Sequence, residues 1–273
     1  MFECVVNVSE GRRVALLDEI SSSVGPPLRD RHTDRFHHRS VFTLVDEPEA
    51  LLVGVHALIG ACFDRLDLRH HEGVHPRFGV VDVVPFVALG PGQSGSARSL
   101  RDSAARWIAE TYAVPCFLYG DVNGAPRSLP DVRREAFQGL MPDFGPHRPD
   151  PGLGAVAVGA RPVLVAWNLW LDGVSISEAR AIARALRSPE VRAMGFSVGD
   201  QVQVSCNLIE PGLVGPSAVY DQVASLVPQR GAIDRSELVG LIPQSVLEAQ
   251  DRGRWAELGL SEDSTIESRL GTA

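Results

Sequence analysis

The stretch "PDFGPHRPDPGLG", Pro142–Gly154, decides how the rest of the chain is read. Four Pro and three Gly in thirteen residues cannot form a regular element, because Pro removes a backbone donor and Gly leaves the chain unrestrained. The stretch is either a linker or a loop that meets a ligand. On its N-terminal side strand-like and helix-like runs alternate. "FECVVNV" reads as a strand, "RRVALLDEISSSV" as an amphipathic helix, "VFTLVD" as a strand and "PEALLVGVHALIGACFDRL" as a long helix opened by Pro48. "VVDVVPFVAL" and "VPCFLYG" are strands, with the helix "SARSLRDSAARWIAETY" between them. Beyond the breaker-rich stretch the alternation resumes with the strand "VLVAWNLWL", the helix "SISEARAIARALRS", the strand "QVQVSCNLIE", a helix around "SAVYDQVASLV" and a last helix starting near Pro243. The expected fold class is therefore α/β. Two related lobes are expected, residues 1–152 and 153–273, and clefts between such lobes commonly hold ligands.

Composition limits what such lobes can do. A chain of 273 residues with a 44% hydrophobic fraction can bury a full core, and no apolar run is long enough to span a bilayer. The opening "MFECVVNVSEGRR" reads as a strand and its turn rather than a signal peptide, so a cytoplasmic protein is expected. A formal charge of -8 argues against a nucleic-acid surface. Cys4, Cys62, Cys116 and Cys206 lie far apart in apolar sequence without a CxxC, which points to buried reduced thiols rather than a disulfide or zinc framework. The sequence contains no lysine. That excludes Schiff-base chemistry and a phosphate-loop lysine, and leaves Arg, with its planar bidentate geometry, to meet any carboxylate.

Chemistry concentrates in "HHEGVHPRFGVVDVVPFV", His70–Val87. Gly73 and Pro76 break any helix there, so His71 and His75 stand on a loop that feeds a strand, where an imidazole suits proton transfer. Loop histidines bonded to backbone are the plainer reading. His32, His37 and His38 could join them around a metal, but no spacing matches a zinc pattern. Asp82, inside "VVDVVPF", needs a partner if buried. In "NVSEG", Asn7 and Ser9 lie between a strand and a helix, where capping and carboxylate binding both fit. Arg161, in "GAR", either turns the chain or clamps an acid. Asn168 and Asn207 sit in apolar strands, where core hydrogen bonding competes with ligand binding.

An ordered series of segments resembles the formiminotransferase domain of the glutamate formiminotransferase family. "ECVVNVSEG" is similar to the family's ECVPNFSEG, "HRSVFTLV" to its NR(S/T)V strand, and "HEGVHPRFGVVDVVPF" to its HxGxHPRxGAxDVxPF signature. "VPCFLYG", "PDFGP", "GARPVLVAWN", "QVSCNL" and "LVGLIP" follow in the family's order, so the likeness runs from Glu3 to about Leu270.

The resemblance implies an enzyme of two α/β sandwich lobes, each a mixed sheet with helices on its outer face, with tetrahydrofolate as cosubstrate in the ligand groove between them, no metal, and a homodimer as the assembly. It implies transfer of a formimino group from N-formimino-L-glutamate to N5 of tetrahydrofolate, in histidine breakdown. The histidine of HPR carries over to His75 as the catalytic group, and Asp82 and His71 are expected to orient or assist it. The folate-binding segment carries over to Gly145, Pro146, His147, Arg148, Pro149, Asp150, Pro151, Gly152, Leu153 and Gly154. Asn7, Ser9, Arg39, Arg77, Arg161, Asn168 and Asn207 are the expected substrate contacts. The chain departs from the pattern at His38, where the family has Asn, and at His32, which replaces an aspartate. Cationic imidazoles there are expected to weaken recognition of a cationic amidinium. Two alternative readings are a folate-dependent one-carbon transferase with another donor or acceptor, and a folate-binding protein without turnover.

Overall fold

A computed structural model describes residues 1–74 and 76–271. The chain divides into two compact units, Met1–Pro162 and Val163–Ala273.

The first unit contains, in order, β1 (Phe2–Val8), α1 (Val14–Val24), β2 (Leu28–Asp34), β3 (Arg39–Asp46), α2 (Pro48–Arg65), β4 (Val81–Ala88), α3 (Ser94–Tyr112), β5 (Cys116–Val122), β6 (Ala125–Arg127), α4 (Leu129–Glu135) and β7 (Val156–Arg161). Its seven-stranded sheet runs β2-β3-β1-β4-β7-β5-β6. The sheet is mixed: β7 is parallel to both β4 and β5, and the other pairs are antiparallel. Along β1, Phe2, Cys4, Val6 and Val8 enter a core closed by α1, α2 and α3, while Glu3, Val5 and Asn7 alternate to the other face. Part of that other face is covered by α4, whose Val132 packs with Val83, Phe117, Tyr119 and Ala157.

The Pro142–Gly154 segment lies within this unit. The chain that follows it, expected to leave for the second lobe, instead inserts as β7 between β4 and β5, so the first unit ends at Pro162. "AVAVGAR" carries little sequence signal for a strand because small residues fill it. They are needed there: Gly159 pairs with Tyr119, and a Cβ at Gly159 would collide with the Tyr119 ring. Gly159–Arg161 is thus the end of a central strand and not a turn.

The second unit contains β8 (Val165–Asp172), α5 (Ile176–Leu186), β9 (Val191–Val198), β10 (Gln201–Leu208), α6 (Pro216–Leu226), β11 (Ala232–Val239), α7 (Gln244–Glu248) and α8 (Ile266–Leu270). Its sheet runs β11-β8-β10-β9 and, unlike the mixed sheet expected, is antiparallel throughout, because the helix crossovers β8–α5–β9 and β10–α6–β11 each skip one strand, and the skipped strand runs the opposite way between them. Trp167, Leu169, Val204 and Cys206 pack with Ile182 of α5 and Val219 of α6. Ser175 and Glu178 form a capping box at the start of α5. Gly195 lets that helix come close, since a Cβ there would lie 2.8 Å from the Arg180 backbone nitrogen.

Besides β7, the strands β2, β6, β9 and β11 escaped the sequence reading. β2, "LRDRHTD", is a half-buried edge strand with no apolar face, and charged residues are what an edge tolerates. β9 and β11 are the edges of the second sheet and mix polar with apolar residues in the same way. No described helix is long and apolar enough to cross a membrane.

Gly159→Ala should cost about 1–3 kcal/mol of stability through overpacking against Tyr119. Urea unfolding reads this directly, and an unchanged midpoint would refute the close packing of that ring on β7.

Candidate functional site

The site is organised around Asp82. The pairing of β1 with β4 shifts register between Asn7 and Val8, which leaves Asp82 between the paired residues Val81 and Val83. Its fully buried carboxylate accepts from Arg39 Nη1 at 2.6 Å, from Arg133 Nη2 at 2.6 Å and Nη1 at 3.2 Å, and from the Phe78 backbone N–H at 3.0 Å. Burial opposes the charge, but the two guanidiniums and their hydrogen bonds outweigh it and hold the carboxyl at about 2. Arg39 in turn donates from Nε and Nη2 to Asn7 Oδ1, at 3.0 and 2.8 Å. The Arg133 guanidinium also lies over the Phe78 ring, 5.5 Å from its centroid. Neighbouring Ser9 donates from Oγ to the Gly79 carbonyl at 2.7 Å, and its N–H bonds the Val80 carbonyl.

A second group sits on the loop between α2 and β4. His71 Nδ1 lies 2.8 Å from Arg77 Nη1, which can only donate, so Nε2 carries the proton and donates to the His38 carbonyl at 3.0 Å. Burial first, then the neighbouring His38 and Arg77, push the His71 imidazole down to about 4, which keeps it neutral. The His38 ring stacks on it, with centroids 3.9 Å apart. His38 Nε2 lies 3.0 Å from Oε1 of buried Glu10, which also accepts from the backbone N–H groups of Gly11, Arg12 and Arg13. Against the cost of burial, these bonds and Arg13 hold the Glu10 carboxyl at about 2. His75 lies outside the described residues.

The Pro142–Gly154 segment is anchored at both ends. Near its start, the Asp143 and Phe144 backbones bond Cys116, and Asp143 Oδ2 accepts from the Leu118 N–H and from Arg127 Nη1, both at 2.7 Å. At its end, the Gly152 carbonyl accepts from Leu68 N–H, the Leu153 carbonyl from Val80 N–H, and Ala155 N–H bonds the Phe78 carbonyl. Gly154 has φ 74°, and a Cβ there would collide with the Phe78 carbonyl. Asp150 Oδ1 turns the tip by accepting from Gly152 and Leu153 N–H. His147, Arg148, Pro149, Asp150 and Pro151 are left exposed between the anchors, with Gly145 exposed and Pro146 half-buried before them. The segment is therefore stapled to the backbone that leads from Phe78 into Asp82.

Of the residues singled out in the sequence, Asn7, Ser9, Arg39, His71, Arg77 and Asp82 come together in the first unit. Arg161, at the end of β7, donates to the Pro162 carbonyl. Asn168 and Asn207 belong to the second unit. Asn168 Nδ2 donates to Glu237 Oε2 at 3.2 Å, alongside Trp170 Nε1, whereas Asn207 is exposed on β10. Two residues of the site were missed. Glu10 follows Ser9 directly, and its place before a helix N-terminus was a usable signal. Arg133, on a short helix, gave none. Among the described residues no cluster of His, Cys, Asp or Glu is placed to hold a metal ion, and the four cysteines are buried and free.

Comparison with known proteins gives this arrangement a family. Residues 1–161 match the family model described as "Formiminotransferase domain, N-terminal subdomain". The chain is 30% identical over 268 residues to glutamate formimidoyltransferase of Streptococcus pyogenes serotype M1, covering 90% of each protein. It is 31% identical over 272 residues to the enzyme of the same name from Thermoplasma acidophilum, covering 90% of this chain and 89% of that one. It is also 30% identical over 276 residues to formimidoyltransferase-cyclodeaminase of Sus scrofa, of which it spans 51%. The fold and the match together define a transferase enzyme. The chain belongs to the formiminotransferase family.

Asp82→Asn should destabilise the first unit by about 3–5 kcal/mol, because it leaves two guanidiniums without their buried counter-charge. The sign of the acid dependence follows from the lowered carboxyl. Its contribution is fully present above the ordinary carboxylate pKa near 4 and is lost as pH falls through about 2. Urea unfolding from pH 5 to pH 2 should therefore be flatter in the variant by about one proton. Equal slopes in both proteins would contradict the ion-paired Asp82.

Proposed function

We propose that the protein transfers the formimino group of N-formimino-L-glutamate to N5 of tetrahydrofolate, giving 5-formiminotetrahydrofolate and glutamate. The observation that carries this reading is the similarity to proteins named glutamate formimidoyltransferase over nine-tenths of both chains. The geometry supports it in one respect: the segment assigned to folate is stapled to Phe78, Gly79 and Val80, the backbone that continues the loop bearing His75.

In this reading N5 attacks the amidine carbon, and His75 takes the N5 proton as the C–N bond forms. The tetrahedral intermediate then collapses. His75 returns the proton to the departing glutamate nitrogen as the second C–N bond breaks, so one imidazole serves both steps and is restored. His71 stays neutral and holds the Arg77 guanidinium by its Nδ1. Arg77 and Arg161 meet substrate carboxylates, while Arg39 holds the frame of Asn7 and Asp82. Asn7, Ser9, Asn168 and Asn207 complete the polar contacts. Gly145 through Gly154 binds the folate. No metal enters these steps. A homodimer, a cytoplasmic location and a place in histidine breakdown belong to the same reading and rest on the resemblance.

Wild-type protein given N-formimino-L-glutamate and tetrahydrofolate should release glutamate only when both are present. His75→Ala should lower that turnover by about 10²- to 10⁴-fold, while thermal stabilisation by tetrahydrofolate persists. Undiminished turnover in the variant would remove His75 from the chemistry. Stabilisation of the wild type without glutamate release would remove the transfer reaction itself.

A further inference from the structure

We propose that His38 is a positioning residue for the loop between α2 and β4, clasping Glu10 through one ring nitrogen and the Glu72 main chain through the other. The proposal rests on the transfer reading above for its kinetic test alone.

His38 ends the turn between β2 and β3 with φ 50°, a left-handed conformation that a non-glycine residue adopts only when its surroundings hold it there. Its side chain is 12% exposed. Nε2 lies 3.0 Å from Glu10 Oε1, and Nδ1 lies 2.9 Å from the Glu72 carbonyl oxygen. Both partners accept and neither can donate, since the Glu10 carboxyl stays ionised and a carbonyl has no proton. An imidazole N–H on either ring nitrogen therefore has an acceptor within reach. The backbone N–H groups of Gly11, Arg12 and Arg13 fix Glu10.

The loop is gripped a second time from beneath. His71 donates to the His38 carbonyl and stacks on its ring at an interplanar angle of 13°, and it stays neutral because Arg77 occupies Nδ1. Gly73 allows the approach, because a Cβ there would lie 2.5 Å from the His37 carbonyl and 2.9 Å from His38 Cβ. The charged or titratable groups around His38 are thus Glu10, Arg12 and Arg13 from the segment after β1, His71 and Arg77 from the loop it holds, and Arg39 beside it in sequence. Glu72 and Arg77 bracket position 75. His38 holds Glu72 directly and Arg77 by way of His71.

This replaces the expectation that His38 repels a cationic substrate. Its ring is committed to Glu10 and Glu72, and Asn in its place could reach one of the two partners but not span both. His38→Asn should therefore impair turnover.

Three measurements test the clasp. In nitrogen-15 spectra of histidine-labelled protein, the His38 ring should give hydrogen-bonded signals, and Glu10→Gln should shift them. His38→Ala should lower kcat by about 10- to 100-fold, the scale of a catalytic group displaced by about an ångström, with KM for tetrahydrofolate little changed and His38→Asn in between. Amide hydrogen exchange in His38→Ala should rise at residues 71–77 and stay unchanged in β1 and β3. His38 ring signals unmoved by Glu10→Gln would overturn the proposal, as would wild-type kcat with unchanged exchange in His38→Ala. Exchange rising uniformly with a lowered melting temperature would also overturn it, by making His38 a folding residue only. If the wild type shows no transfer, the spectra and exchange still decide the clasp, and the failure belongs to the transfer reading.

Discussion

One buried carboxylate ties the first unit together. Asp82 drops out of register on β4, and in doing so it meets Arg39 from β3, Arg133 from α4 and the Phe78 N–H from its own incoming loop. A buried charge is tolerated only when its partners are complete, so these segments have to arrive together. Through Arg39 the constraint reaches Asn7 on β1, and through Phe78 it reaches the end of the Pro142–Gly154 segment. The loop bearing His75 and the loop assigned to folate are therefore fixed to the same few residues, although they are far apart in sequence. The absence of lysine fits this economy: guanidiniums, each able to donate in several directions within one plane, serve as the hubs.

The elements with clear periodicity were legible. The apolar alternation in β1, Pro48 at the head of α2 and the amphipathic α3 each carried a local signal that the fold uses directly. What sequence did not disclose was set by neighbours rather than by local pattern. β7 is a central strand of small residues, and Gly159 is explained only by the Tyr119 ring that lies across it. β2 is a strand because β3 pairs with it, not because "LRDRHTD" favours one. The Pro/Gly stretch was read as a crossover between lobes, yet its ends are taken up by backbone hydrogen bonds within one unit.

The same distinction applies to the site. Residue type and motif brought Asn7, Ser9, Arg39, His71, Arg77 and Asp82 to attention, because each is a polar group that needs a partner. Their pairing was not readable, since it depends on a register shift in β4 and on a helix, α4, whose Arg133 looked like any surface arginine. Glu10 and His38 show the reverse case. His38 stood out as a departure from a family pattern and suggested a change of substrate preference, but its ring is committed to Glu10 and Glu72. A side chain's meaning followed from its bonds, and those depended on the close approach allowed by Gly73.

In the proposed function the Gly145–Gly154 segment and the His75 loop act together to present N5 of the pterin to a single imidazole. A structure of the protein with bound 5-formyltetrahydrofolate, a stable folate carrying a one-carbon group on N5, tests this most directly. The folate should lie against Gly145–Gly154, with the N5 substituent within about 3 Å of the His75 ring or one water away. A folate bound away from that segment, or with N5 turned out of reach of His75, would contradict it.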